Sequence, residues 1–464
     1  MSTLSIFDAA REAPDALALI DGSSTLSFRQ AAERCAPLAQ ALLQQRTRAL
    51  ALTPRADTES LLWLYAAFAT GTPVLTLHTR ATAAERHAAI ERCGATEPPP
   101  PAPTGVVPGA LPVISDANAL AFIPTSGSTG TPRLVELSRG AVVASAEASA
   151  QNLGWEPNDR WLLCLPLAHT GGLSIVLRCL LARRTALLFE PGPSGVLAQL
   201  DALLQVAQRA TLMSLVPSVL SELLDAGFAP AHGLRAVLVG GAGCSPALAQ
   251  RAHTAQVPLL TSYGLTETAS QVVTRRYGER FDPLPERDGV VSSGHPLPGV
   301  ELRFDAETLA IRSPSLFSGY LGEASSGVGA DGFLRTTDRG ELGKNGELYV
   351  RGRSDDVIIS GGENVDPLEV EAALLSLPGV KAACVFGSPS ARFGQVVSAV
   401  LVSANAALAE PSHLAELLAD RLARHKLPRR ALLAQNLPLT LAGKIDRRAV
   451  RDQYAAKLAD PDQA

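Results

Sequence analysis

Thr125-Ser126-Gly127-Ser128-Thr129-Gly130 is the stretch on which the reading of this chain turns. It follows a short apolar run, residues 119–124, which ends in Ala-Phe-Ile-Pro and predicts a strand entering a tight loop. Four hydroxyl side chains and two glycines fall within six residues. Glycine lets backbone approach a ligand and turn its N–H groups inward. The hydroxyls add donors suited to phosphate oxygens. The composition fits a loop that wraps a polyphosphate, and it equally fits a Ser/Gly-rich surface turn. No Gly-Lys-Ser/Thr follows, so the P-loop pattern is excluded.

Outward from the loop, 464 residues with 46% hydrophobic and 19% charged side chains exclude a disordered chain and imply a large core. That length suits one large domain and a small one. A net charge of −4 argues against a nucleic-acid-binding surface. Six scattered cysteines, none in a Cys-x-x-Cys pair, predict buried thiols in a reducing, cytoplasmic compartment. No apolar run is long enough for a membrane span, and no signal-peptide pattern opens the sequence.

Along the chain, apolar spacing predicts a helix over 28–43, capped by Ser27 and kinked or broken at Pro37. A second helix is predicted over 59–70, followed by a turn at Gly71 and a short buried strand. Residues 97–103 form a proline-rich connector. Helices alternating with apolar strands predict an α/β fold. Polar or glycine-rich loops follow four strands, at 125–130, 168–172, 240–243 and 263–268. Ligands bind beyond the carboxyl ends of strands in open α/β sheets, so these loops predict one shared site. After Gly352 the texture changes. A helix with Asp366 as N-cap and Pro367 at its first turn, strands over 382–386 and 396–402, and a helix over 413–424 predict a compact α+β unit. The expected domains are 1–352 and 353–464.

Taken together, the ordered motifs resemble the adenylate-forming superfamily of acyl- and aryl-CoA ligases. The resemblance implies a large N-terminal domain of sheets flanked by helices and a small mobile C-terminal domain. It implies ATP, Mg²⁺ and coenzyme A as small-molecule partners of a carboxylic acid, with no nucleic acid and a homo-oligomer left open. ATP is needed because a carboxylate has too poor a leaving group to accept a thiol directly. By this resemblance Thr125, Ser126, Gly127, Ser128, Thr129 and Gly130 hold the outer phosphates. Arg133 and Leu134 stand where the family has Lys and Gly; the positive charge is kept and the backbone is stiffened. Tyr263 and Gly241 belong to the nucleotide site, Thr266 bonds the α-phosphate and Glu267 holds Mg²⁺. Asp338 and Arg353 contact the ribose, Asp355 is the hinge, and Lys444 drives adenylation. Gly361 and Gly362 form the loop that enters for the thiol step.

The acid is chosen by a pocket. Residues 165–174 and 262–271 resemble the pocket motifs of the o-succinylbenzoate–CoA ligases of menaquinone synthesis. His169, Gly172, Arg178 and Ser270 are the candidate acid-binding residues. Arg178 interrupts an otherwise apolar helix, and a buried guanidinium is costly unless an anion meets it. The alternative for Arg178 is a surface position or a pair with Glu190. Another aryl- or medium-chain acyl-CoA ligase, or a non-catalytic nucleotide-binding relative, remains the competing reading of the whole chain.

Overall fold

The computed structural model describes residues 3–45, 47–102, 111–125, 133–192, 195–323, 327–390, 392–440 and 443–458. The described part contains two sheets rich in parallel strands. The larger runs, in spatial order, His295–Pro296, Ser270–Thr274, Leu259–Leu265, Ala236–Val239, Leu212–Leu215, Arg160–Leu163, Thr185–Leu188, Leu17–Asp21 and Ser24–Ser27. Its six inner strands, from Leu259–Leu265 to Leu17–Asp21, are parallel, and its edge strands are antiparallel. Strands Leu212–Leu215, Ala236–Val239 and Thr185–Leu188 are buried at every position, as expected of strands covered on both faces. The second sheet runs Gly319–Tyr320, Arg133–Ser138, Ala119–Thr125, Val74–Thr76 and Leu50–Leu52.

One core joins the two sheets through helices Phe28–Gln45, Thr58–Thr70 and Thr170–Ala182. The last two are buried almost all round, which matches their lack of a polar face. Asp57 caps Thr58–Thr70 by accepting from the Ser60 N–H, and Gly71 ends it in the left-handed region at φ 72°. Helix Phe28–Gln45 opens on a reciprocal pair: Ser27 N–H donates to Gln30 Oε1 at 2.9 Å, and Gln30 N–H to Ser27 Oγ at 3.3 Å. The helix runs through Pro37 without the expected break. Its buried stripe of Ala31, Cys35, Leu38 and Leu42 continues across the proline, and packing outweighs the roughly 3 kcal/mol that a helical proline costs. Helices Leu200–Ala207, Pro217–Asp225 and Pro246–Thr254 cover the other face of the larger sheet.

An antiparallel meander, Glu301–Asp305, Thr308–Arg312, Leu334–Leu342 and Leu348–Arg353, packs on Val272 and Val273 of the larger sheet. From Ile358 onward the chain has cores of its own. Strands Glu363–Val365, Ile358–Ser360, Gly394–Ser403 and Val380–Ser390 form a sheet, with Arg430–Leu433 parallel to Gly394–Ser403. Helices Pro367–Leu375 and Pro411–Leu418 share one core with this sheet, and Arg447–Tyr454 shares the other. Asp366 caps Pro367–Leu375 as its sequence predicts. The helix predicted over 413–424 is shorter, at Pro411–Leu418. Ala423 is extended (ψ 149°) and leads the chain to Lys426, which pairs with Glu369 at 2.6 Å. No helix of the described residues is long and apolar enough to cross a membrane.

Candidate active site

The loops after the carboxyl ends of strands bring several predicted residues together. Strand Ala236–Val239 runs into Gly240 and Gly241. A Cβ on Gly240 would lie 2.4 Å from Ser262 Oγ, so glycine here lets two neighbouring strand ends touch. Gly241 is left-handed at φ 82°, and a Cβ there would stand 3.3 Å from Cε and 3.9 Å from Nζ of Lys444. The lysine arrives on the turn at Gly443 (φ 78°), where the Gly443 carbonyl accepts from Ser218 Oγ at 3.3 Å. Lys444 as a whole residue is exposed, with the end of its side chain lying over Gly241. Desolvation lowers its pKa and Asp338 opposes the drop.

Asp338 sits on strand Leu334–Leu342, opposite Arg353 in the antiparallel register. It is buried, and desolvation raises its pKa against the stabilising hydrogen bond from Tyr263. Tyr263 Oη donates to Asp338 Oδ2 at 2.5 Å. Arg353, opposite Asp338, grips Asp355 through two bonds, Nε to Oδ1 at 2.9 Å and Nη2 to Oδ2 at 3.0 Å. That pairing holds Asp355 below the usual carboxylate range. The ion pair closes the turn that follows strand Leu348–Arg353, which is where the hinge was expected.

Tyr263-Gly264-Leu265 is the end of its strand, and the register with Ser270–Thr274 slips at Tyr263/Gly264. A Cβ on Gly264 would lie 2.1 Å from the Ser270 carbonyl oxygen. The chain then makes a single tight turn at Thr266–Thr268, and Ala269 (φ 53°) and Ser270 (φ 116°) both occupy the left-handed region. For side chains other than glycine this is strained backbone, and strain of this kind gathers at binding sites. Thr268 Oγ1 holds the turn by donating to the Ser270 carbonyl at 2.7 Å and accepting from Leu265 N–H at 2.8 Å. Glu267 projects from this turn and accepts from Tyr320 Oη at 2.8 Å. Among the described residues no group of three or more His, Cys, Asp or Glu side chains is set to hold a metal ion. A single carboxylate such as Glu267 suits Mg²⁺ that arrives with phosphate oxygens and keeps its waters.

Of the phosphate loop, Thr125 ends strand Ala119–Thr125 and its Oγ1 donates to the Arg133 carbonyl at 3.3 Å. Ser126, Gly127, Ser128, Thr129 and Gly130 lie outside the described residues. Leu134, expected to stiffen the loop, is a core residue of strand Arg133–Ser138 at 1% exposure. Arg133 does not stand as a free charge, because its guanidinium is bonded to Glu323.

A cleft of about 130 Å³ opens beside Gly443, lined in part by Arg55, His78, Arg80, Leu165–Ala168, Glu190 and Val216. His169 caps helix Thr170–Ala182 beside it, with its ring 5.5 Å from that of His78. Gly172 is required by close packing, since a Cβ would lie 2.4 Å from the Pro166 carbonyl oxygen. Arg178, two turns further along, neither reaches the surface nor pairs with Glu190. It is 3% exposed, its Nε and Nη2 have no hydrogen-bond partner, and its guanidinium stands 5.4 Å from the Trp161 ring centroid. Burial pushes its pKa down to about 10. Glu190 Oε2 instead accepts from the Ala56 N–H at 2.8 Å. Arg178, Ser270 and Gly172 do not line the cleft. Gly361 and Gly362 turn the hairpin between Ile358–Ser360 and Glu363–Val365, both with positive φ, and are exposed. Sequence reasoning missed Tyr320, Glu323 and His78; a tyrosine among only six in the chain, between Gly319 and Gly322, was the available signal.

This geometry agrees with what the chain resembles. The AMP-binding enzyme model matches residues 99–321, and the AMP-binding enzyme C-terminal domain model matches 369–444. Over a 480-residue alignment the chain is 30% identical to the 2-succinylbenzoate–CoA ligase of Bacillus pumilus, covering 95% of this chain and 96% of that protein. The chain belongs to the 2-succinylbenzoate–CoA ligase family of AMP-binding enzymes. Another member, from Bacillus velezensis, is 33% identical over 366 residues, 76% of this chain and 72% of that one. The o-succinylbenzoate CoA synthetase of Bacillus subtilis, in complex with the acyl-adenylate intermediate, superposes on this ligase with a TM-score of 0.85 at 27% identity, covering 97% and 98% of the two chains. A double mutant of that synthetase bound to a CoA product analogue gives 0.69 over the same shares. The arrangement of this ligase, with Lys444 against Gly241, is thus nearer the adenylate-bound form.

Proposed function

We propose that this ligase activates 2-succinylbenzoate with MgATP, releasing pyrophosphate, and then transfers the acyl group from the adenylate to the thiol of CoA. The observation that carries this reading is the convergence of Lys444, Gly241, Asp338 and Tyr263 on one point beyond the strand ends. Asp338 offers a buried acceptor for ribose hydroxyls, and Glu267 with Thr266 meets Mg²⁺ and the α-phosphate. Lys444 bridges the attacking carboxylate and the α-phosphorus, so its charge offsets what builds up in the transition state. The loop at 125–130 takes the leaving pyrophosphate.

Arg178 supplies the cation that the ring carboxylate requires, and His169, Gly172 and Ser270 shape the rest of the acid site. The chain divides at 352/353, and the C-terminal unit turns about Asp355. Lys444 then leaves, and the Gly361–Gly362 hairpin enters with the thiol. The six free thiols and the demand for ATP and CoA fit a cytoplasmic setting.

The test is a thioester assay with ATP, Mg²⁺ and CoA over a panel of acids, read by mass spectrometry. A CoA thioester of 2-succinylbenzoate, with little from benzoate or octanoate, is the expected result. Preferred turnover of benzoate or octanoate would replace this assignment with the competing ligase.

A further inference from the structure

Arg133 and Tyr320 are unusual in how they meet. Strand Gly319–Tyr320 pairs antiparallel with Arg133–Ser138, with Tyr320 opposite Val135. Val135 and Arg133 project from the same face, so Arg133 is the diagonal neighbour of Tyr320. Its guanidinium carbon lies 3.3 Å from the Tyr320 ring centroid. Nε donates to Glu323 Oε1 at 2.7 Å, and Nη2 donates to Glu323 Oε2, a two-bond grip that fixes the plane of the guanidinium. Phe317 meets Tyr320 edge-on at 4.9 Å. Between Arg133 and Phe317 the phenol ring has little freedom, and its Oη donates to Glu267 Oε1 at 2.8 Å. The same segment holds the Glu267 backbone, whose carbonyl accepts from Phe317 N–H at 2.8 Å. Segment 317–321 therefore ties the strand that leaves the phosphate loop to the acid proposed to meet Mg²⁺. Leu321 N–H and Ser318 N–H complete the tie by donating to the carbonyls of Leu134 and Glu136 at 2.9 Å each.

We infer that Tyr320 is a positioning residue for Glu267, and that Arg133 and Glu323 act through Tyr320 by holding its ring. The inference rests on the reading above in which Glu267 holds the magnesium of MgATP. It gives the departure from lysine at Arg133 a physical reason. A lysine cannot both lie flat on a ring and grip a carboxylate with two bonds in one plane. With Tyr320 fixed, one Glu267 oxygen is occupied and the other is directed to the metal.

The experiment compares wild type with Tyr320→Phe, Arg133→Lys, the double variant and Glu267→Gln. Calorimetry measures binding of MgATP and, in chelator, of metal-free ATP; no acid is needed, so the outcome does not depend on the substrate assignment. Tyr320→Phe keeps the ring and its packing and removes only the hydroxyl. It is expected to weaken MgATP binding roughly 10- to 150-fold, the worth of one hydrogen bond to a charged group. It should raise the Mg²⁺ concentration for half-maximal ATP binding by a similar factor and leave metal-free ATP binding unchanged. Arg133→Lys should do the same more weakly, and the double variant should match Tyr320→Phe, because both act through one contact. Unchanged MgATP binding in Tyr320→Phe, with a clear loss in Glu267→Gln, overturns the inference alone. Additive losses, or a fall in metal-free ATP binding in Arg133→Lys, overturn it by showing that Arg133 meets the phosphates itself. No loss in Glu267→Gln overturns the metal assignment beneath it. Thermal melts confirm that each variant is folded, and glutamate-directed effects that Arg133→Lys shares with Glu323→Gln separate the clamp from general destabilisation.

Discussion

Replacing Arg178 by methionine should make the protein more stable and a worse enzyme. Methionine keeps the length of the stem against Trp161 and removes the charge. In the ligand-free chain the guanidinium is buried with two unpartnered nitrogens, and burial moves its pKa from 12.5 to about 10. At about 1.4 kcal/mol per tenfold, keeping that charge costs on the order of 3 kcal/mol. The variant should therefore unfold at higher urea, with a gain of about 1–3 kcal/mol once imperfect repacking is allowed for. The same change deprives the ring carboxylate of its partner. Breaking a desolvated charge pair costs about 2–5 kcal/mol, or roughly 30- to 5,000-fold in kcat/KM for 2-succinylbenzoate. The control substrate is 4-oxo-4-phenylbutanoate, which has the same reacting carboxylate and no ring carboxylate; its kcat/KM should change less than about threefold. Urea unfolding and coupled pyrophosphate release measure the two effects. Equal losses on both acids, or unaltered stability together with unaltered discrimination, would refute the reasoning.

Three further outcomes follow from the same geometry. Lys444→Ala should slow adenylation by about 10²–10³, as for loss of one preorganised donor, while thioester formation from supplied acyl-adenylate changes far less; equal loss in both half-reactions would remove its assigned role. Asp366 caps its helix through Leu368 N–H at 2.9 Å, and burial raises its pKa to about 6. A raised acid contributes stability that is present at low pH and lost as pH climbs through 6, so Asp366→Asn, an equally good cap, should be more stable than wild type at pH 8, with the advantage vanishing near pH 4 in urea titrations. Arg447 bonds Asp356 at 2.8 Å and buried Glu371 at 2.7 Å. Arg447→Met should cost about 3–5 kcal/mol at pH 8 by leaving a buried carboxylate unpaired, and less as the pH is lowered, because burial already raises the Glu371 pKa; a pH-independent loss would point to packing instead.

Local signals marked much of this molecule in advance. The α/β alternation, the Asp366-Pro367 helix start and the Gly71 stop follow from spacing and capping chemistry, which act within a few residues. Tyr263, Glu267, Asp338 and Lys444 stand out as candidates because each sits in a short motif of unusual composition. Pro37 and the shortened helix at Pro411–Leu418 were misjudged because long-range packing and the Lys426–Glu369 pair override local preference.

By itself, then, the sequence determined the family motifs and the candidate residues within them: a loop of hydroxyls and glycines, two carboxylates, a lysine in a late glycine turn, and a charged residue inside an apolar helix. Only the tertiary structure decided what each of these touches. It set Lys444 against Gly241 across 203 positions of chain, left Arg178 buried with two bare nitrogens, and laid Arg133 on Tyr320 and Glu323. The reason is physical. Composition and spacing act through the backbone over one or two turns, whereas a partner more than a hundred residues away is chosen by how sheets, helices and strand registers pack.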